Sequence, residues 1–207
     1  MPMRAFVRRT GLVVLVAVAT ASCGDVVRSS RAPVFLVVNS LQAGQGNGSS
    51  KLAGTLDSDV ITNVTSPAPC SPTSPCPTVF SDVGSVSLSV AMKDVTVAPT
   101  TNNQVTITRY HVVYRRSDGR NTPGVDVPYA FDGAVTLTVP AGASGTTGFE
   151  IVRHVAKEES PLVQLIVNPN IIYTIADVTF FGRDLVGNDV SATASILINF
   201  GNFGDTQ

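Results

Sequence analysis

The chain has 207 residues, with 14 Lys and Arg against 15 Asp and Glu, a net charge of −1 and no tryptophan. So even a balance, with no basic run, excludes an electrostatic nucleic-acid binder. An apolar content of 43% is ordinary, and the abundance of Val, Thr and Ser suits β-structure under a lightly charged surface.

At the N-terminus, Arg4, Arg8 and Arg9 precede or flank the start of an apolar stretch from Gly11 to Ala19, and Thr20, Ala21 and Ser22 follow. A basic region, an apolar core and small residues in that order make an export signal. The stretch is far short of the roughly 20 residues a spanning helix needs, so no permanent transmembrane helix is expected. Ala19-Thr20-Ala21 fits small-x-small cleavage, which would release a soluble chain starting at Ser22. Thr20-Ala21-Ser22-Cys23, in contrast, resembles the lipobox of bacterial lipoproteins, which implies that Cys23 becomes the acylated first residue. The Arg8-Arg9 pair also suits a twin-arginine signal, although its flanks do not.

The three cysteines bear on this choice. Cys70 and Cys76 share one Pro/Ser-rich segment and form an obvious disulfide pair, which leaves Cys23 as a spare thiol in an oxidising compartment. Acylation removes that anomaly. The lipoprotein resemblance implies a diacylglyceryl thioether and an N-acyl group on Cys23. Each buried CH₂ contributes about 0.8 kcal/mol, and stable anchoring takes more than one chain. Gly24 follows the cysteine where an inner-membrane retention signal has Asp, so the same resemblance implies the outer membrane of a bacterial envelope. Loss of residues 1–22 removes three of the 14 basic residues and none of the 15 acidic ones, for a mature net charge of −4.

Residues 23–31 read as a polar tether, and residues 32–207 as one domain without internal repeats. The run from Pro33 to Val38 predicts the first strand. Asn39 to Lys51, with three glycines, predicts a loop. Residues 63–79 predict a Pro-rich loop, because Pro67, Pro69, Pro72, Pro75 and Pro77 exclude an internal strand. A disulfide inside it stiffens the excursion. Five residues between the cysteines and no nearby histidine argue against a redox or zinc site.

Strict alternation then predicts strands around Val86, Leu88, Val90 and Met92, around Val135, Leu137 and Val139, and from Val190 to Phe200. One apolar and one polar face mean antiparallel sheets covered on one side, as in a sandwich of about seven to nine strands. In Val105 to Arg116 the alternation changes phase. A bulge near Thr108-Arg109 would turn Val105 and Ile107 to the same side as Tyr110, Val112 and Tyr114. Asp118-Gly119 then favours a turn with positive φ. Between Val155 and Leu165 one short helical turn is expected, limited by Pro161, and no other part of the mature chain reads as helix.

Ile107-x-x-Tyr110-x-Val112-x-Tyr114 resembles the C strand of fibronectin type III and immunoglobulin-like domains. Val178-Thr-Phe-Phe-Gly-Arg-Asp184-Leu-Val-Gly187-Asn188 resembles the F–G hairpin of bacterial immunoglobulin-like repeats. Together they imply an all-β, immunoglobulin-like antiparallel sandwich. GVDVPYAFDG and NFGNFGD are similar to segments of uncharacterised bacterial lipoproteins and imply no activity.

Chemistry is sparse. His111 and His154 are the only histidines, and Ser144, between Gly142-Ala and Gly145, lacks the nucleophile-elbow pattern. No catalytic set, resident metal or cofactor is expected. Calcium has two weak candidate groups, Asp57 with Asp59, and Asp184 with Asn188 and Asp189. Local turn bonding accounts for the second equally well. Arg115, Arg116, Arg120 and Arg183 with Asp118, Asp126 and Asp184 form either a shared polar surface or ordinary ion pairs. The expectation is a membrane-tethered, non-enzymatic module, either structural or protein-binding, in which binding falls to loops 39–53, 63–79 and 117–134; the alternative is a carbohydrate-binding or adhesion module. An envelope hydrolase is a distant third.

Overall fold

The computed structural model describes residues 31–46 and 51–203. The export signal, Cys23 and most of the tether lie outside the described residues. The chain folds as an all-β protein. Its strands are β1 (Val34–Gly44), β2 (Thr55–Asp59), β3 (Thr62–Val64), β4 (Cys76–Thr78), β5 (Asp82–Met92), β6 (Val105–Arg115), β7 (Phe131–Val139), β8 (Ser144–Val152), β9 (Ile172–Asp184) and β10 (Asp189–Gly201). The helical elements that lie wholly within the described residues are α1 (His154–Glu158) and 3₁₀ turns at Thr101–Asn103 and Leu162–Ile166.

Three strands form one sheet in the order β1-β5-β8, and five form another in the order β2-β10-β9-β6-β7. Pairing is antiparallel throughout except between β2 and β10, which run parallel. The sheets curl around a common core as a half-barrel. β3 and β4 make a separate small ribbon.

The alternating strands turn their apolar sides inward as expected. Val86, Leu88 and Val90 of β5, Val135 and Val139 of β7, and Val190, Ile196, Ile198 and Phe200 of β10 are buried. In β6 the register shifts between Ile107 and Arg109 against both neighbours. The shift is the expected bulge, and it puts Val105, Ile107, Tyr110, Val112 and Tyr114 all in the core. Across the sheets, the Tyr110 and Phe149 rings meet at 4.9 Å and the Phe149 and Phe180 rings at 5.3 Å, edge to face. Gly84 makes room for this cluster, since a Cβ there would lie 2.5 Å from the Phe149 ring. The Tyr114 hydroxyl donates to the Ile151 carbonyl at 2.6 Å, a second link between the sheets. Burial pushes that phenol's pKa up.

Four expectations need correction. The first strand does not stop at Val38. It continues to Gly44 through a register shift between Val38 and Ser40, because Leu41 and Ala43 return to the buried side. The Pro-rich segment is not all loop. Val64 and Cys76 pair across β3 and β4, and Pro77 is accommodated because this two-stranded ribbon is all edge. Those two short strands bring the number among the described residues to ten rather than seven to nine. Finally, Thr101–Asn103 adds a helical turn that periodicity did not suggest, capped by Thr100 and Asn103 bonding to each other.

The register also divides the loops between two ends. Val105 faces both Val139 and Asp184 across the sheet. The Lys93 amide donates to the Pro33 carbonyl at 2.9 Å, and Val90 bridges to Ala141. The chain therefore enters the domain at the end that holds residues 93–104, 140–143 and 185–188, termed here the entry end. Residues 45–54, 60–81, 116–130 and 153–171 gather at the other, distal end.

Candidate functional site

The distal end holds the longest excursions, and a buried ion pair organises them. Asp82 is the first residue of β5 and lies in phase with Gly84, Val86, Leu88 and Val90, so its carboxylate points inward. Lys157 of α1 meets it, with Nζ 2.9 Å from Oδ2 and 3.0 Å from Oδ1. Only 1% of either side chain is exposed. The same ammonium donates to the Asp59 carbonyl at 2.8 Å. Ser58 Oγ donates to Asp82 Oδ2 at 2.6 Å, and the Gly46 amide donates to Oδ1 at 3.3 Å. Burial pushes the Asp82 pKa up, and Lys157 and Ser58 pull it partly back.

One carboxylate thus binds the segment after β1, the end of β2, the start of β5 and α1. The C-terminal edge joins through Asp59, whose carboxylate accepts from the Phe203 and Ile61 amides. This centre fixes the bases of the 45–54, 60–81 and 153–171 excursions. Chemically it is a satisfied structural pair. With Ser58 and Lys157 both buried, a substrate has no access to either group.

Two loops at this end carry cross-links of their own. In the first, Cys70 and Cys76 form the expected disulfide, with Cα atoms 5.3 Å apart. It closes a turn in which Ser71 and Ser74 exchange backbone hydrogen bonds at 3.0 Å. Replacing both cysteines by serine is expected to cost about 2 kcal/mol or less. Hydrogen exchange should accelerate at residues 62–78 while the strands of the main sheets keep their protection.

In the second, residues 116–130, Arg116 and Arg120 both grip Asp118, at 2.6 and 2.8 Å. Hydrogen bonds from Arg116 and then Arg120 hold the Asp118 carboxyl well below its ordinary range. Gly119 has φ 82°, as the Asp-Gly turn requires. Asp126 accepts from the Thr122 amide and closes the rest of the loop.

The remaining sequence candidates are dispersed. Arg115 binds Asp177 at 2.6 Å on the outer face of the five-stranded sheet. Arg183 pairs with Asp189, not with Asp184, at the entry end, so the four arginines do not share one surface. Asp184 is buried and fully engaged. Its Oδ1 accepts from the Val186 and Asn188 amides, and its Oδ2 accepts from Asn188 Nδ2 at 2.8 Å. With Gly187 at φ 91°, these bonds build the β9–β10 turn. Asp57 accepts from Asn199 Nδ2 at 2.7 Å. Among the described residues, no three His, Cys, Asp or Glu side chains gather as metal ligands.

Nor does the fold assemble a triad from the candidate residues. His111 lies 3.3 Å from Asp132, which Arg109 also binds at 2.7 Å. Ser144 sits opposite Ser89 at the entry end of β8, whereas His154 begins α1 beyond the distal end of that strand. A shallow, open groove runs along the outer face beside Thr108, Arg109, Phe181, Arg183 and Ser191. The Arg109 guanidinium stacks over the Phe181 ring at 4.0 Å there, so its wall is internally paired.

Sequence reasoning missed Ser58, Asp82 and Lys157. A signal existed for Asp82, because a carboxylate in phase with three buried apolar residues demands a buried partner. Nothing in the composition around Lys157 marks that partner.

No family model matches the chain, and no curated protein matches it. Among solved structures, one described as the X-ray structure of Northeast Structural Genomics Consortium target SoR45 is similar at 10% identity, with a TM-score of 0.35, over 80% of this chain and 86% of that one.

Proposed function

We propose that this protein is a lipid-anchored module of the bacterial cell envelope, tethered through Cys23 at the outer membrane, to which Gly24 after the cysteine directs it, and that its immunoglobulin-like sandwich presents distal loops to an envelope protein. The observation that carries this reading is the separation of the two ends. The chain enters the domain beside the 93–104 segment and two tight turns, and the three longest excursions, 60–81, 116–130 and 153–171, lie at the far end of strands up to 13 residues long. Recognition usually resides in loops held by a rigid scaffold.

Three features support the immunoglobulin-like assignment. The chain passes from β5 to β6 and from β8 to β9 between sheets, as Greek-key sandwiches do. β6 and the β9–β10 hairpin lie side by side, where the resemblance would put a C strand and an F–G hairpin. The Tyr110–Phe149–Phe180 cluster fills the place between sheets that antibody domains give to tryptophan and a disulfide.

Replacing Cys23 by serine is expected to move the protein from the membrane fraction to the soluble fraction. The intact mass of the wild-type chain should include the acyl groups. A wild-type chain that begins at an unmodified Ser22 would refute the anchor. For the partner, crosslinking from the distal loops in intact cells should recover an envelope protein, and a Cys70→Ser/Cys76→Ser variant should weaken that yield.

Exposed Tyr129 and Tyr173, both toward the distal end, favour a glycan as the second ligand class. Binding on a glycan array that is lost in Tyr129→Ala and Tyr173→Ala would select it.

A further inference from the structure

We propose that the entry end is itself a membrane-docking face, whose apolar tips rest in the headgroup region of the bilayer that holds Cys23. This rests on the lipid-anchor reading and adds an orientation to it. Val95 is 91% exposed in the 93–104 loop, and Val97 follows it, half exposed. Leu185 and Val186 occupy the β9–β10 turn, Val186 at 71% exposure. The distal end exposes apolar side chains too, Val125 and Val167 among them, so it is the tether's position and not exposure alone that singles out these four, whose turns are hydrogen-bonded locally. Asp94 bonds both the Thr96 amide and hydroxyl, and Asp184 accepts three N–H groups across the hairpin. The tips are thus held out from the domain and do not fold back onto it.

The length of chain before the domain selects the occupant. Eight residues, 24–31, separate Cys23 from Ala32, which allows at most about 30 Å when fully extended. A 13-residue strand such as β9 is about 43 Å long. The tether is therefore shorter than the domain, and it enters beside Lys93, whose amide is bonded to Pro33. The entry end stays within reach of the bilayer at all times. Such confinement raises its effective concentration at the surface, which lowers the affinity the apolar tips must supply. Lys93, stacked over the exposed Phe35 ring at 5.2 Å, adds an amphipathic flank suited to the headgroup layer. A soluble protein partner at the same place would have to fit within this gap.

The absence of tryptophan makes the test direct. The full chain, extracted from membranes and shown by mass to be acylated, is reconstituted into phosphatidylcholine–phosphatidylglycerol vesicles containing bromine-labelled acyl chains. Val186→Trp and Val95→Trp should emit at shorter wavelength than Val125→Trp, which reports from the distal loop 116–130. The two entry-end reporters should lose emission to the brominated lipid while Val125→Trp does not. Docking is overturned if acylated Val186→Trp is quenched by aqueous iodide as strongly as Val125→Trp. It is also overturned if shielding at Val186 depends on protein concentration and not on bromine, which would mean a second copy covers the face. An unacylated wild-type mass would remove the anchor reading and the docking face together, and is distinguishable from the other two results.

Discussion

Lys157→Met is expected to lower folding stability by about 3–5 kcal/mol, read from the midpoint of chemical denaturation. The size follows from what is left behind. Asp82 keeps Ser58 and the Gly46 amide but loses the one full charge in its surroundings, and the Asp59 carbonyl loses its ammonium donor. An uncompensated buried carboxylate is costly, and protonation is its cheapest relief. The deficit should therefore depend on pH. A carboxyl whose folded pKa lies above its unfolded value binds protons more tightly when folded. Its stabilising contribution is complete below the unfolded value and is lost as pH rises through the folded one. Asp82 is already shifted upward by burial, and removing Lys157 removes the main influence opposing that shift. The variant should lie closest to the wild type in mild acid and farthest from it above neutrality. Adding Asp82→Leu to Lys157→Met should restore much of the loss, because an apolar pair of similar volume needs no desolvation of charge. A deficit that stays constant with pH would mean that Lys157 acts through packing alone.

How much of this was legible beforehand depended on whether the information was local. The β6 bulge was legible because five apolar residues in two phases can reach one core only through an extra residue, and the register shift lies there. The β9–β10 turn was legible because Asp184, Gly187 and Asn188 bond within their own segment. The disulfide was legible from cysteine spacing. The continuation of β1 to Gly44 was not, since Leu41 and Ala43 are only two apolar positions among polar neighbours and their value lies in pairing with β5. The Pro77 strand was hidden for a similar reason, because proline excludes a central strand but not an edge ribbon. Lys157 was the least legible. It stands in a charged stretch that reads as solvated surface, and its burial depends on Asp82, 75 positions away. The division of loops between two ends also came only from register, since loop lengths alone do not say which loops lie together.

Two adjacent phenylalanines allow the strand parity to be measured directly. Phe180→Ala is expected to cost about 3–5 kcal/mol, whereas Phe181→Ala should cost about 1 kcal/mol or less. Both belong to β9, and neighbouring strand positions face opposite sides of a sheet. Phe180 is fully buried and touches Phe149 of the other sheet edge to face at 5.3 Å, with Tyr110 at 6.3 Å beyond it. Its removal leaves a cavity at the point where the sheets meet, and the surrounding strands cannot close it without breaking register. Phe181 lies on the outer face beneath the Arg109 guanidinium, which retains its ion pair with Asp132 when the ring is gone. For a domain of this size the Phe180 variant should melt roughly 6–20 °C below the wild type, and the Phe181 variant within a few degrees of it. Equal losses at the two positions would mean that both faces of the five-stranded sheet are covered, and the outer face would then have to be an interface.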